Sequence, residues 1–207
     1  MIEEPKWLQY AKKLQALAQA GLEYSNDKYD LERFEEIRDI SVEIVNNYTD
    51  IEKEKIENLF AGEEGYQTPK VDVRAAVFKN NKILLVREKI DNLWTLPGGW
   101  ADVDLSLREN VIKETKEEAG AAIKPKRVIA VLDRKRHNTP PNPYGIYKIF
   151  VECTLLNINF KENLETSEAG FFEEKNLPPL STNRTTEEQI NMCFRSKNKK
   201  HHECIFD

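Results

Sequence analysis

Two textures divide the chain. From residue 4 to about 60 the apolar positions recur at helical intervals. Trp7, Leu8, Ala11, Leu14, Leu17 and Ala18 line one segment, and Leu31, Phe34, Ile37, Ile40, Val42 and Ile44 line a second. Spacings of three and four residues put such side chains on one face of a helix, so two helices are predicted. Gly21 and the SNDKYD segment supply a stop and a start between them, with Asp30 as the N-cap. A charged third helix is expected from about Asp50 to Phe60. The glycine- and proline-bearing stretch AGEEGYQTPK then loses all periodicity, which is where domain boundaries fall. The boundary is placed at residue 66, giving a helical domain over 1–65 and a second domain over 66–207.

Past that boundary the period shortens. VDVRAAVF (71–78) and KILLVRE (82–88) are β-branched runs flanking the turn residues Lys79 to Asn81, the pattern of a tight hairpin. RVIAVLDR (127–134), YGIYKIFVECTLL (144–156) and GFFEE (170–174) continue the strands, and residues 105–119 and 185–196 read as helices. The predicted class is α+β.

Composition narrows the function. With 207 residues, 40% hydrophobic and 32% charged, the chain has the make-up of a globular protein with a substantial core. No apolar run approaches the ~18 residues of a spanning helix, and MIEEPKWLQYAKK lacks a signal-peptide layout, so a cytoplasmic location is expected. Cys153, Cys193 and Cys204 are widely spaced and suggest reduced thiols rather than a disulfide or zinc framework. The formal net charge of -5 argues against a general nucleic-acid binder. A polyanionic substrate would need local basic residues or bound divalent cations. The basic tail RSKNKKHHECIFD reads as a solvated terminus, and His201 and His202 as surface histidines rather than metal ligands.

The stretch LPGGWADVDLSLRENVIKETKEEAGAA (96–122) carries the chemistry. Gly98 and Gly99 permit a sharp backbone path. Ser106 and Glu109 form a capping box, and Gly120 is a helix stop, predicting a helix over 107–119. On it Glu114, Glu117 and Glu118 share one face. At about 4 Å and an effective dielectric near 20, each like-charge pair costs roughly 4 kcal/mol. Either Lys113 and Lys116 screen a solvated acidic face, or divalent cations bind there; oxygen-only ligands suit magnesium or manganese.

Spacing decides between these. From Gly99 to Ala121 the stretch resembles the Nudix box, G-x5-E-x7-R-E-U-x-E-E-x-G-U with U apolar, supplying Gly99, Glu114, Glu117, Glu118 and Gly120. Leu105 stands where the family has its first glutamate, Lys113 where it has arginine, and Thr115 and Ala121 at apolar positions. Lysine lacks the planar guanidinium fork, so a rearranged ion pair is expected. A longer likeness, through PKWLQYAKKLQALAQAGLEYS, DVRAAVF, LPGGWADV and LPPLSTNRTTEEQI, is to a bacterial Nudix subgroup with a helical N-terminal domain, described as ADP-ribose or CDP-choline pyrophosphatases.

The resemblance implies an α/β/α sandwich around a mixed sheet and hydrolysis of a nucleoside diphosphate linked to another moiety. It implies Mg2+ (or Mn2+) held by Glu114, Glu117, Glu118 and the Gly98 carbonyl, with Glu117 and Glu118 at the catalytic centre. A base outside the box is expected at Glu168, or else at Glu165. Arg74 and Arg87 are candidate phosphate contacts, and Arg134, Arg136 and His137 a candidate substrate rim. A homodimer is implied, with the N-terminal helices at the interface or over the site; Trp7, Tyr24 and Tyr29 are either core or base-stacking residues. The remaining alternatives are an oxidised-nucleotide pyrophosphatase and a catalytically silent ligand sensor, the latter opposed by the three intact glutamates.

Overall fold

The computed structural model describes residues 4–62, 65–197, 199 and 203–207; His201 and His202 lie outside them. The chain forms two compact units, Met1–Pro69 with Pro141–Gly145, and Lys70–Pro140 with Ile146–Asp207.

The first unit holds α1 (Lys6–Tyr24), α2 (Lys28–Tyr48) and α3 (Lys53–Phe60). Its core joins Ala11, Val42, Val45, Ile56 and Phe60, with Tyr144 packed against it. Asp27, not Asp30, caps α2: its carboxylate accepts the Tyr29 and Asp30 N–H groups at 2.9 and 3.2 Å. Three residues upstream of Asp30, it is the last extended residue and alone has its side chain free to reach back to the first turn. Nor does Gly21 stop α1, which runs on to Tyr24. Its missing side chain makes room for Phe34, whose ring would lie 2.4 Å from a Cβ.

The second unit is a mixed seven-stranded sheet. Its strands are β1 (Lys70–Lys79), β2 (Lys82–Glu88), β3 (Trp94–Thr95), β4 (Ala121–Asp133), β5 (Ile146–Ile158), β6 (Thr166–Phe172) and β7 (Ile205–Phe206). The order is β3-β2-β1-β5-β4-β7, with β6 also on β2; β1 and β5 are parallel, whereas β1–β2, β4–β5 and β2–β6 are antiparallel. Asn80 and Asn81 both take positive φ, the geometry of a two-residue hairpin turn whose twist matches its strands. Strand alternation sends Val73, Ala75 and Val77 to one face, under α4 (Leu107–Ala119), where they meet Val111 and Ala119. Ala76, Ile83 and Phe150 face the other way, against Ile190 and Phe194 of α6 (Glu187–Lys197). Between them in sequence, α5 (Arg134–His137) is one short turn. The two-residue strands β3 and β7 are too short to leave a period.

Helix α4 ends because Gly120 adopts φ +59, and a Cβ there would meet the Asn159 carbonyl oxygen at 2.4 Å. Left-handed backbone and a backbone clash together cost about 1–3 kcal/mol for any side chain. Gly120→Ala should lower unfolding free energy in urea by that amount, and an unchanged midpoint would refute this account of the helix end.

Candidate active site

Helix α4 forms where the sequence places its caps. Ser106 Oγ accepts the Glu109 N–H, and the Glu109 carboxylate accepts the Ser106 N–H at 2.9 Å. The buried Asn110 amide ties the preceding loop down, accepting from Asp102 N–H at 2.8 Å and donating to the Leu105 carbonyl at 3.1 Å. Thr115, in an apolar position of the box, is fully buried and donates its hydroxyl to the Val111 carbonyl at 2.7 Å, so no polar group there is left unsatisfied.

The glycine turn docks on this helix through one contact. Val73 and Ala75 N–H groups donate to the Gly99 and Pro97 carbonyls at 2.8 and 2.9 Å, which fastens the turn to β1. Gly98 takes φ +137 and lies so close to β1 that a Cβ would fall 1.9 Å from the Val73 carbonyl oxygen. Its N–H donates to Glu118 Oε2 at 2.7 Å. Burial pushes the Glu118 carboxyl up to about 8; the Arg74 guanidinium and the Gly98 N–H oppose this, and Glu88 and Glu114 add to it. Glu114, half-buried, is raised as well, first by burial, against the pull of Lys113. Glu117 is exposed.

Lys113 supplies the rearranged pair. Its Nζ lies 3.1 Å from Asp102, 3.5 Å from Glu114 and 3.3 Å from Glu117. An ammonium thus sits among three carboxylates as a point charge, without the planar bidentate geometry of arginine. Carboxylate oxygens of this kind are the donors that suit a hard divalent cation. Glu114 Oε2 lies 2.8 Å from where a Gly99 Cβ would stand, so any side chain at Gly99 would crowd that carboxylate, and Glu118 brings a buried carboxylate that accepts the Gly98 N–H. Among the described residues no three His, Cys, Asp or Glu side chains are already gathered closely enough to hold an ion. Side-chain rotation within α4 would have to close the set.

The loop before β6 reaches the end of α4. Thr166 Oγ1 donates to the Glu118 carbonyl at 2.6 Å, and Asn163 Nδ2 to the Glu117 carbonyl at 2.9 Å. Glu165 stands between these anchors, and its own carbonyl accepts the Lys89 N–H at 2.8 Å. Its charge acts on both Glu114 and Glu88. Glu168 points elsewhere, paired with Arg87 at 2.8 Å across the β2–β6 ladder. Glu88, which sequence reasoning missed, is buried at the end of β2. Burial raises its carboxyl, opposed by Arg184 at 3.5 Å, and its charge reaches Glu118. In sequence it is only the last polar residue of a strand.

The basic residues separate into two groups. Arg74 and Arg134 are buried. The Arg74 fork is occupied by Asp72, at 2.9 Å from Nε and 2.8 Å from Nη2, while its Nη1 donates to the Leu96 carbonyl at 3.0 Å. It therefore braces the glycine turn rather than standing free for phosphate. Arg134 donates to the Pro140 carbonyl at 3.0 Å and to Asn183. Arg87 is half-buried and paired with Glu168, Arg136 is exposed, and His137 pairs with Asp207.

A buried helix carboxylate is thus locked to a glycine turn, with further carboxylates on the same helix, an arrangement of oxygen donors suited to a hard cation. Comparison with known proteins gives the family. Residues 68–191 match the NUDIX domain, and residues 5–60 match a domain described as UDP-X-like, N-terminal oligomerisation domain. The chain belongs to the Nudix family and is a Nudix hydrolase acting on pyrophosphate bonds. Over 99% of its length and 98% of theirs it is 48% identical to YjhB of Bacillus subtilis (strain 168), a protein provisionally named an ADP-ribose pyrophosphatase. A crystal structure of an ADP-ribose pyrophosphatase from Streptococcus suis is 47% identical, with a TM-score of 0.63, and covers 68% of this chain and 100% of that one. A crystal structure of a UDP-X diphosphatase, 32% identical, covers 97% of this chain and 98% of that one with a TM-score of 0.64. Nudix hydrolases generally use divalent metal ions. No helix among the described residues is long and apolar enough to cross a membrane.

The raised Glu118 value has a consequence for stability. An unfolded glutamate titrates near 4.5, the folded one near 8. The proton is held more tightly in the folded state, so that stability is complete below about 4.5 and is lost as pH climbs through about 8. Metal-stripped protein should lose Tm between about pH 5.5 and pH 8. Adding magnesium should restore more at the upper end, and Glu118→Gln should flatten both trends. A Tm that is equally pH-dependent in Glu118→Gln would contradict the assignment.

Proposed function

We propose that the chain hydrolyses ADP-ribose, water attacking one phosphorus while the bridging P–O bond breaks to give AMP and ribose 5-phosphate. The observation that carries the site is Glu118, a carboxylate kept out of water against the Gly98 amide. The substrate rests on the relatives: beyond the two above, an ADP-ribose pyrophosphatase of Methanocaldococcus jannaschii is 31% identical over 56% of this chain and 69% of that protein. A second reading, a pyrimidine nucleoside diphosphate such as a UDP-linked compound or CDP-choline, is favoured by the UDP-X diphosphatase match through both units.

In this reading Glu114, Glu117, Glu118 and the Gly98 carbonyl hold magnesium or manganese. The ion supplies charge neutralisation at the phosphoryl oxygens and a more acidic water. Glu165 replaces Glu168 as the preferred base, because Asn163 and Thr166 anchor its loop on the end of α4, whereas Glu168 is engaged by Arg87. Half-buried Arg87 and exposed Arg136 remain as candidate phosphate contacts and His137 as part of the substrate rim. The buried thiols Cys153 and Cys193 are free, which suits a cytoplasmic setting. A silent sensor would have no use for a desolvated carboxylate.

With magnesium, wild type should turn over ADP-ribose faster than CDP-choline, UDP-glucose or 8-oxo-dGTP. Glu118→Gln should lower kcat by about a hundredfold or more, as expected when a metal ligand is lost. Glu165→Gln should cost more than Glu168→Gln. No turnover of any of the four compounds, or full activity in Glu118→Gln, would sink the proposal.

We propose further that the first unit forms a homodimer through α1. Tyr10, Leu17 and Tyr24 recur every seven residues and stay 60%, 55% and 68% exposed, with half-buried Leu14 between the first two. That three–four spacing is a seam fitted to a second helix. Wild type should sediment as a dimer and Leu17→Glu as a single species near 24.1 kDa; identical sedimentation of the two would refute the α1 interface.

A further inference from the structure

Three cations and one carboxylate meet at one end of the sheet. Asp72 and Lys148 are register partners across β1 and β5, and Lys148 lies opposite Leu132 of β4. Arg134 follows two residues later, within electrostatic reach of both Asp72 and Lys148. Asp72 serves two partners: the Arg74 fork and Lys148 Nζ at 2.7 Å. Among the described residues Arg134 finds neutral acceptors, the Pro140 carbonyl and the oxygens of Asn183. Exposure is 7% for Asp72, 4% for Arg74, 1% for Lys148 and 4% for Arg134.

Taking an ion out of water costs several kcal/mol unless an opposite charge compensates it. Here the formal sum is three positive charges against one negative. Glu88 and Glu118 offset Arg74 from its other side, and neither is among the main influences on Lys148 or Arg134. The surplus therefore lies at the Lys148–Arg134 end. Burial, with Arg74 and Arg134 adding to it against the pull of Asp72, holds the Lys148 amine down at about 8. A lysine needed only to neutralise Asp72 would be redundant, since Arg74 already binds that carboxylate with two nitrogens.

We propose that Lys148 and Arg134 form an anion subsite that receives a phosphate group of the substrate, beside the carboxylates that hold the metal. The assignment rests on the nucleoside-diphosphate reading and deepens it. Both halves of a cleaved diphosphate carry a phosphate dianion, and either satisfies the same two cations. The site is then polarised: carboxylates and their ion grip the diphosphate from the α4 side, and fixed cations receive it from the β4–β5 side. Asp72 lies between Lys148 and Arg74, bonded to both.

Calorimetric titration of inorganic pyrophosphate, AMP and ribose 5-phosphate, with EDTA present, tests the subsite without metal. Wild type should bind pyrophosphate, and K148M and R134Q should bind it at least tenfold more weakly, with K148R recovering most of the affinity. Whichever of AMP or ribose 5-phosphate loses affinity alongside pyrophosphate identifies the half held there. In turnover of ADP-ribose with magnesium, KM of K148M should rise by more than kcat falls. Circular dichroism checks that K148M folds; if it does not, R134Q and K148R carry the same comparison. Equal affinity of wild type and the folded variants for all three probes, or no pyrophosphate binding by wild type, overturns the subsite. Normal pyrophosphate results without turnover of any nucleoside diphosphate would instead remove the substrate reading and leave the subsite standing.

Discussion

The Glu118 carboxyl is almost fully buried and accepts the Gly98 N–H at 2.7 Å, and the rest of the site is arranged around keeping that group out of water. The contact exists because two separate devices converge on it. Gly98 can approach only where a Cβ would have struck β1, and α4 presents Glu118 only because its ends are fixed by Ser106, Glu109 and Gly120. Loss of either device would separate the turn from the helix. A buried carboxylate with one amide donor is a poor structural element but a strong oxygen ligand, because it gives up little hydration when a cation arrives.

Charge organises the surroundings on the same principle. Lys113 stands among Asp102, Glu114 and Glu117, so the outer carboxylates tolerate one another where water is plentiful. Further in, Arg74 shares the task between Asp72 on one side and Glu88 and Glu118 on the other. Strand alternation makes this possible: residues 72 and 74 of β1 leave the sheet on the opposite side from Val73 and Ala75, so one strand serves both the core under α4 and the polar network.

What was legible in the sequence was local. The bounds of α4, its capping box and the glycine at its end follow from residues within a turn of each other, and the β1–β2 hairpin follows from paired asparagines between two apolar runs. The box supplied the family because its spacing spans a turn and a helix at once. What stayed hidden was long-range pairing. Nothing near Asp72 in sequence predicts that Lys148 would join Arg74 on its carboxylate, since Lys148 arrives through the β1–β5 register from 76 residues away. Glu88 looks like an ordinary strand end until Glu118 and Arg184 are folded against it. That the Glu165 loop sits on the end of α4 depends on Asn163 and Thr166, whose bonds to α4 carbonyls cross more than forty residues. Asp30 and Gly21 show the converse: reasonable local signals overridden by a nearer cap at Asp27 and by the packing of Phe34.

The central claim, that a protonated and desolvated Glu118 gives way to a divalent cation, is open to direct measurement. Titrating Mn2+ into stripped protein at about pH 7, in buffers of different ionisation enthalpy, counts the protons released as the ion binds. The account predicts release approaching one proton per ion in wild type and clearly less in Glu118→Gln. A binding enthalpy that does not change with buffer would contradict it.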